Sequence, residues 1–291
     1  MSKISVYDIV TQKVLEAMEN GTLPWRKAWA SVNGSPFNAA TGRKYSGGNF
    51  LLMSILGFNT PGYVTVNQIK AANATIKAGE EKKHFPVFYW RMLERENNVT
   101  GKKESIPMLR YFLVWNVEQL DGFDSVALRK FNEAGQHFDH DPIEAAEKIV
   151  QGFENAPQMV IATTNRACYN PANDIVSVPQ ISQYVNREEY YSTLIHELGH
   201  STGHHSRLNR KEVNDPIQFG SHDYSLEELV AELTATFLCA ESGIDNTIDN
   251  SAAYIKGWHA KLADDPKLFW TAAGRAQKAA NYIMGRTAAE D

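Results

Sequence analysis

The sequence has 291 residues, of which 43% are hydrophobic and 22% are charged, and its net charge is −5. This composition is typical of a soluble globular chain with one large or two medium domains, and we expect two. The longest apolar runs, such as NFLLMSILGF, are far too short to span a bilayer, and the first residues lack the pattern of a signal peptide. We therefore expect a cytoplasmic protein with no membrane partner. Cys168 and Cys239 have no CxxC spacing, so neither a disulfide framework nor a thiolate zinc site is indicated.

Charge is distributed unevenly along the chain. Residues 1–125 carry 15 Lys and Arg against 11 Asp and Glu, whereas residues 126–291 carry 14 against 23. No acidic residue lies between Glu19 and Glu80, although this run of sixty residues contains several Arg and Lys. The two halves are therefore expected to face different partners.

The first part of the chain predicts helices followed by a β-hairpin. Amphipathic spacing and helix-stop residues predict helices over residues 4–20, 48–56 and 66–78. The strand-like segments 84–93 and 107–117 flank a polar stretch and predict a hairpin with a long loop. The rings of FYWRML and RYFLVW alternate too densely to assign a face, and we expect most of them in the core.

The segment 121–141 lacks hydrophobic periodicity and marks a boundary. We predict a first domain over 1–125, a linker over 126–141 and a second domain over 142–291. The second domain opens at Asp141-Pro142, a helix cap followed by proline at the first helical position. Strands at PQMVIATT and IVSVP precede predicted helices near 187–203, 225–242, 248–263 and 266–285. The whole pattern predicts an α+β fold of two domains.

The segment LIHELGHSTGHHSRLNR contains a candidate metal site. His196 and His200 are four residues apart in a predicted helix, so both rings leave the same helix face and can bind one tetrahedral zinc ion. Glu197 makes HELGH an instance of HExxH, in which the Glu is the general base toward a metal-bound water. The alternative is an accidental match of five residues. Gly199 in this helix predicts the close approach of a second helix.

A third metal ligand is needed, and the sequence offers two patterns for it. The pattern HExxHxxGxxH requires a histidine where Ser206 stands, so this pattern fails by one position. The later segment SLEELVAEL instead provides Glu228 as the ligand and Glu232, four residues on, as the acceptor of a ligating histidine's outer N–H. Two alternatives stay open: Glu228 can cap a helix with Ser225, and Glu227 competes as the ligand.

The acid-free run combines aromatic and basic side chains in glycine-containing loops. This combination stacks bases and neutralises phosphates on a single strand without strict sequence preference. The predicted contacts to single-stranded DNA are Trp25, Arg26, Lys27, Trp29, Arg43, Lys44 and Tyr45. The alternative is that individual rings, such as those of Trp25 and Trp29, pack in the core.

The segment NDIVSVP, before the HELGH helix, predicts a strand that Pro179 ends. Metallopeptidases present an edge strand to which an extended peptide adds by β-pairing, and this segment is the candidate. An edge strand that binds no substrate is the alternative.

Longer stretches resemble one protein family. The E-x-x-A-E arrangement after HExxH is similar to the gluzincin pattern, and RACYNPANDIVSVP, YYSTLIHELGHSTGHHSRLNR and EELVAELTATFLCAESGI resemble the zincin-like metallopeptidase domain of ArdC-type antirestriction proteins. The segments DIVTQKVLEAMENGTLPWRKAW, PFNAATGRKYSGGN and YVTVNQI resemble the N-terminal domain of the same family, which also occurs in plasmid primases and is implicated in single-stranded DNA binding.

This resemblance implies a function and a set of partners. It implies a bacterial plasmid or mobile-element protein that shields incoming DNA from host restriction during conjugation. Its cofactor would be zinc, Zn2+, and its partners would be single-stranded DNA and an unidentified protein substrate, for which a host restriction component is a candidate.

Three functions of different classes remain open after the sequence analysis. The first is an active, DNA-recruited zinc protease, and the second is a DNA-binding antirestriction protein whose zinc site is structural or vestigial. The third, a non-proteolytic hydrolase, is the weakest because the chain has no P-loop and no GxGxxG. Glu197 favours the first, since a purely structural zinc ion does not need a base.

Overall fold

The computed structural model describes residues 6–19, 35–54, 56, 58–96, 103–134, 141–162, 166–215, 218, 220–244 and 252–286. The helices and strands in these ranges form the α+β architecture that the sequence predicts. Within the same ranges, no helix has the length and apolar character needed to cross a membrane.

The first part of the chain is built around a four-stranded sheet. Its helices are α1 (Val6–Glu19), α2 (Gly47–Ser54) and α3 (Val66–Ala71). Its strands are β1 (Phe37–Asn38), β2 (Gly62–Thr65), β3 (Thr75–Ile76), β4 (Phe85–Glu96), β5 (Lys103–Asn116) and β6 (Leu120–Asp121). The sheet has the order β1-β2-β5-β4, and β3 pairs separately with β6. The antiparallel β4–β5 hairpin is the one predicted, extended toward its tip.

The hairpin differs from the sequence prediction in the burial of its rings. The buried side chains include Val87, Phe88, Val114 and Trp115. The rings of Tyr89, Tyr111 and Phe112 are instead exposed, so the expectation of a core position is wrong for these three. The reason is that β2 pairs with β5 only from Val114 to Asn116, so these three rings lie on a part of the hairpin that extends beyond the rest of the sheet as two strands.

Two sequence-predicted boundaries in this part are wrong. The helix predicted over 66–78 ends at Ala71, because Asn73 takes a left-handed φ of 53° and the chain then enters β3. The predicted linker contains a helix, α4 (Val126–Ala134), whose N-terminus is capped by the Ser125 hydroxyl. Phe131 of α4 packs on Phe37 with ring centroids 5.1 Å apart, so this helix belongs to the core of the first part.

The second part places helices on a small three-stranded sheet. Its strands are β7 (Gln158–Ala162), β8 (Cys168–Asn170) and β9 (Ile175–Pro179). Its helices are α5 (Pro142–Gln151), α6 (Arg187–Ser201), α7 (Lys211–Asn214), α8 (His222–Ser242), α9 (Ala252–Asp264) and α10 (Leu268–Ile283). The sheet order is β7-β9-β8, so β9 is paired on both sides and the sequence prediction of an edge strand at IVSVP is wrong. The edge strand nearest the histidines is β8.

Helices α6 and α8 cross closely, as Gly199 predicts. A Cβ added to Gly199 would lie 3.2 Å from the Cα of Ala231, so the glycine allows the two backbones to approach each other. This crossing brings side chains of α8 next to the HELGH residues of α6.

The two parts of the chain share one hydrophobic core. Phe50 of α2 packs edge-on against Phe237 of α8 at 5.5 Å, and Phe88 of β4 packs against Trp270 of α10 at 5.2 Å. The backbone N–H of Gly47 donates to the side chain of Gln277 on α10 at 2.9 Å and so caps α2 from the other part. The second part is therefore packed directly on the first.

Replacing Gly48 with Ala should destabilise the packing of α2 on α10. A Cβ added to Gly48 would lie 2.2 Å from a ring carbon of Trp270, whose ring is held against Phe88. Overpacking of this kind costs about 1–3 kcal/mol, so the free energy of unfolding measured in urea should fall by that amount. Because the core is shared, the loss should appear in one cooperative transition.

Gly274→Ala, on the helix that carries Trp270, is the matched control. Gly274 lies one turn after Trp270, and a Cβ there meets nothing within 4 Å. This variant should leave the free energy of unfolding unchanged or raise it by up to about 1 kcal/mol. Equal stability of Gly48→Ala and the wild type would contradict the close approach of α2 and α10.

Candidate metal centre

Helix α6 carries the two candidate histidine ligands. The side chain of Asn186 accepts a hydrogen bond from the backbone N–H of Glu189 at 2.8 Å and caps the helix. His196 and His200 follow one turn apart, with their Nε2 atoms 3.2 Å from each other. Both rings therefore point to a common position beside the helix.

Glu228 on α8 completes the cluster. Its carboxylate oxygens lie 3.9 Å from Nε2 of His196 and 3.6 Å from Nε2 of His200. Ligands of a tetrahedral zinc ion, at bond lengths of about 2.0–2.1 Å, are separated by roughly 3.3 Å, so the three groups fit one divalent ion. In the part of the chain that the structure describes, this is the one group of His, Cys, Asp and Glu side chains close enough to hold a metal.

A buried ion pair lies behind His200. Nδ1 of His200 is 3.1 Å from Oε1 of Glu227, and the guanidinium of Arg210 donates to both oxygens of that carboxylate, at 2.8 and 2.7 Å. A proton held on Nδ1 by Glu227 leaves the lone pair of Nε2 for a metal. The sequence predicts this orienting role for Glu232 at one of the two ligating histidines; at His200 the role falls to Glu227, because the close helix crossing lets Glu227 and Glu228 reach the two nitrogens of one ring. Glu232 is buried, and its contact with a ligating histidine stays a prediction.

The side chain of Arg210 also caps the C-terminal end of helix α6. Its guanidinium donates to the backbone carbonyl of Gly199 at 3.0 Å and to the hydroxyl of Thr202 at 2.7 Å. The last carbonyls of a helix have no partner within the helix, so the arginine satisfies one of them while it holds Glu227. One buried side chain thus connects the end of α6 to α8.

The charges around His200 shift the pKa of both partners. Burial raises the pKa of Glu227, but the hydrogen bonds from Arg210 and His200 outweigh burial and hold it below its ordinary value. Burial lowers the pKa of His200, but the hydrogen bond and charge of Glu227, together with the charges of Glu228 and Glu197, raise it by more, to about 9. Metal binding at neutral pH therefore has to release a proton from this ring.

Glu197, the predicted base, is buried on the flank of α6. Burial raises its pKa above the ordinary value, and the charge of Glu228 acts in the same direction, whereas His200 and a hydrogen bond from the backbone of Tyr169 lower it. A raised pKa suits a carboxylate that accepts and returns a proton near neutral pH.

The cluster opens into a cleft of about 440 Å³ between α6, α7, α8 and β8. Two of its lining side chains were missed in the sequence analysis. Tyr224 lies one turn before Glu228 and donates to its carboxylate; burial and this contact raise the pKa of Tyr224 to about 12. Glu212 of α7 forms an ion pair with Arg275 of α10 at 2.9 Å. The i, i+4 spacing of Tyr224 and Glu228 could have predicted their contact, whereas no pattern in the sequence around Glu212 indicates that it lines the cleft.

The predicted DNA contacts divide into two groups. Trp25, Arg26, Lys27 and Trp29 lie outside the described residues. Arg43 and Lys44 are exposed in the turn between β1 and α2, as a phosphate contact requires. Tyr45 is half-buried and its ring packs edge-on against Tyr63 at 6.3 Å, so little of this ring is left for a base.

Replacing His200 with Ala should remove most of the bound metal, whereas Glu197→Ala should retain it. The reason is that His200 is a proposed ligand and Glu197 is not. Metal content after dialysis, measured by mass spectrometry on folded protein loaded with zinc, distinguishes the two. Equal loss of zinc in both variants would contradict this assignment.

Glu228→Gln should weaken zinc binding more than Glu227→Gln does. The first change removes a ligand, while a change behind a ligand typically costs about 10–100-fold in metal affinity. Competition with a chromophoric chelator measures both affinities. The reverse order would assign the ligand role to Glu227.

The same pair of variants should show the opposite order in stability without metal. Glu227→Gln leaves Arg210 without its buried partner charge, and breaking a buried ion pair from one side costs about 3–5 kcal/mol. Glu228 is only partly buried, so Glu228→Gln should lower the free energy of unfolding in urea by less. Equal losses would contradict the structural role of the Arg210–Glu227 pair.

Two family models match the chain. Residues 4–115 match the N-terminal domain of the anti-restriction factor ArdC, and residues 144–275 match a zincin-like metallopeptidase. Among solved structures, the chain is similar to the antirestriction ArdC protein from the R388 plasmid. The metal-free structure of that protein is 31% identical, with 96% of each chain covered and a TM-score of 0.75. The Mn(II)-bound structure is 30% identical, with 97% of each chain covered and a TM-score of 0.75.

Curated relatives extend the comparison. Two proteins of Escherichia coli named DNA primase TraC are each 31% identical over 96% of this chain, which spans only 20% and 27% of their lengths. The uncharacterized protein y4eC of Sinorhizobium fredii is 28% identical over 96% of this chain and 91% of its own length. The matches to both domains, in the same order and over nearly the full length of a solved relative, show that the chain belongs to the ArdC family of plasmid antirestriction proteins, with an ArdC N-terminal domain followed by a zincin-like metallopeptidase domain.

Proposed function

We propose that this chain is an antirestriction protein of a mobile element that binds single-stranded DNA and hydrolyses peptide bonds in a protein partner. The observation that carries the enzymatic half is the position of Glu197 beside a three-ligand site that opens into a cleft. A structural zinc site is closed by four protein ligands, whereas a catalytic site keeps one position open.

The residues of the cleft have distinct roles in the proposed reaction. A zinc ion held by His196, His200 and Glu228 would polarise the scissile carbonyl and lower the pKa of a water molecule to about 7. Glu197 accepts the proton of that water on its carboxylate and passes it to the leaving amine. Tyr224 keeps its proton at neutral pH, and its hydroxyl donates to the carboxylate of Glu228, which holds that carboxylate toward the metal position.

A peptide substrate has an edge strand available at this cleft. Among the described strands, β8 pairs with β9 alone, and Cys168 and Tyr169 of β8 line the cleft beside Glu197. An extended peptide that adds to β8 would place its backbone next to the proposed base. The substrate is an unidentified protein of the host cytoplasm, for which a restriction component is a candidate.

The DNA-binding half is supported by charge and by relatives. The exposed Arg43 and Lys44 lie in the acid-free run between Glu19 and Glu80. Two relatives are named DNA primases, and the ArdC relatives are named antirestriction proteins. Protection of DNA that enters a cell as a single strand fits both names.

The alternative is a DNA-binding antirestriction protein whose zinc is structural or vestigial. In its favour, the Arg210–Glu227–His200 contacts connect α6 to α8, so a bound ion would add stability to an existing structural connection. Against it, a structural ion does not require Glu197.

Comparison of cleavage products separates the two functions. Host extract treated with zinc-loaded wild-type protein should contain new protein N-termini that are absent after treatment with Glu197→Gln, which keeps the ligands. Both proteins should be tested in parallel for protection of a conjugated plasmid from restriction. Equal protection by the two, with no cleavage product specific to the wild type, would support the alternative.

DNA binding is tested by fluorescence anisotropy with the full-length protein. Affinity for an oligonucleotide of dT should fall with salt at a log–log slope of roughly −0.7 for each phosphate contacted. Duplex DNA of equal length should bind more weakly, because its bases are already stacked on each other. Equal affinity for both, or no binding, would reject the DNA-binding half.

A further inference from the structure

The β4–β5 hairpin exposes two aromatic rings side by side. Tyr89 is 44% exposed and Phe112 is 37% exposed, and their ring centroids are 5.8 Å apart. Val87 pairs with Phe112 and Tyr89 pairs with Arg110, so both rings lie on the same face of the sheet. Neighbouring large rings with this exposure are typical of a contact surface.

A cleft of about 790 Å³ lies next to these rings, between the hairpin, the turn before α2 and helix α10. Its lining includes Tyr89, Phe112, Arg43, Lys44, Trp270 and Lys278. The cleft thus joins the basic turn of the acid-free run to the exposed aromatic face of the hairpin.

The basic turn has a defined backbone. The side chain of Asn38 accepts hydrogen bonds from two backbone N–H groups inside the turn, both at 3.1 Å, and Gly42 takes a φ of 79° that glycine readily adopts. Arg43 and Lys44 follow directly, so both side chains start from a fixed position at the rim of the cleft.

The cleft has positive charge only. No Asp or Glu is among the described residues that line it, and the exposed Arg91 and Arg110 extend the basic surface on the sheet face of Tyr89. Glu241 lines an adjoining cavity, where it is ion-paired with Arg286. The positive charge of the cleft complements a polyanion. The exposed rings of Tyr89 and Phe112 add flat apolar surfaces on which nucleic-acid bases can stack.

We propose that this cleft is the binding site for a single DNA strand, with one base on Tyr89, the next on Phe112 and the phosphates along Arg43, Lys44 and Arg110. This proposal rests on the single-stranded DNA binding proposed above and adds the location of the binding site. The two rings lie side by side, with centroids 5.8 Å apart and planes tilted by 45°. A base on each ring therefore has to come from a strand whose bases are not stacked on each other.

The test compares full-length variants on two ligands of equal charge. Tyr89→Ala and Phe112→Ala should each weaken binding of a dT oligonucleotide by about tenfold, the effect that truncation of a stacking ring commonly has. Binding of an oligonucleotide with the same phosphates but abasic sugars should stay unchanged in both variants. If either variant loses stability in a thermal melt, Tyr89→Leu and Phe112→Leu keep the apolar bulk and should still bind dT more weakly.

Tyr111→Ala is the matched control. Tyr111 is 48% exposed on the same strand as Phe112, but it lies on the opposite face of the sheet and is not among the residues that line the cleft. Its affinity for dT should equal that of the wild type. Lys44→Gln should instead reduce the salt slope by about 0.7, because it removes one phosphate contact.

The outcomes separate this proposal from the function on which it rests. If the wild type binds dT and the Tyr89 and Phe112 variants bind it equally well, the location in this cleft is wrong while single-stranded DNA binding stands. A loss for Tyr111→Ala as large as that for Phe112→Ala overturns the location as well. If the wild type does not bind dT, both proposals fall.

Discussion

The candidate metal site depends on the contact of Arg210 with Glu227. Burying these two charges costs free energy unless both groups are fully hydrogen-bonded. The guanidinium meets this requirement because it donates to both carboxylate oxygens of Glu227. Glu227 then fixes the ring of His200, and Glu228, as the next residue of α8, is brought to the other side of that ring. The ion pair therefore connects α6 and α8 in the arrangement on which the distances of the cluster depend.

The close helix crossing makes this arrangement possible. Gly199 lets the backbone of α6 approach Ala231 of α8, and this approach is what allows two consecutive glutamates to reach one imidazole. Consecutive helical residues point about 100° apart, so at a wider separation only one of them would reach the ring. A small residue in the middle of the HELGH motif is thus part of the geometry of the ligands.

The parts of the candidate site that could be predicted from the sequence are those set by the spacing of residues within one helix. The four-residue spacing of His196 and His200 predicts that both rings share a helix face, the need for a third ligand predicts Glu228, and the structure brings these three together. Prediction failed where long-range packing decides. The side chain behind His200 is Glu227 because of the crossing angle of two helices, and Arg210 comes from a loop without any pattern. The same limit applies to IVSVP, whose composition suits an edge and a central strand equally, and to α4, whose apolar residues find their partner in distant Phe37.

Helix α10 lines the cleft beside the hairpin and contacts Glu212, a lining residue of the candidate metal cleft. Lys278 lines the cleft beside the hairpin, and Arg275, less than one turn away, holds Glu212 at the metal cleft. Because the two parts of the chain share a core, this helix fixes the distance between the hairpin cleft and the candidate metal cluster. Under the proposed function, a protein tethered to the same strand meets the cleft at an effective concentration in the millimolar range, whatever its abundance in the cell. Substrate choice would then depend on where a protein sits on the DNA more than on the residues around its scissile bond.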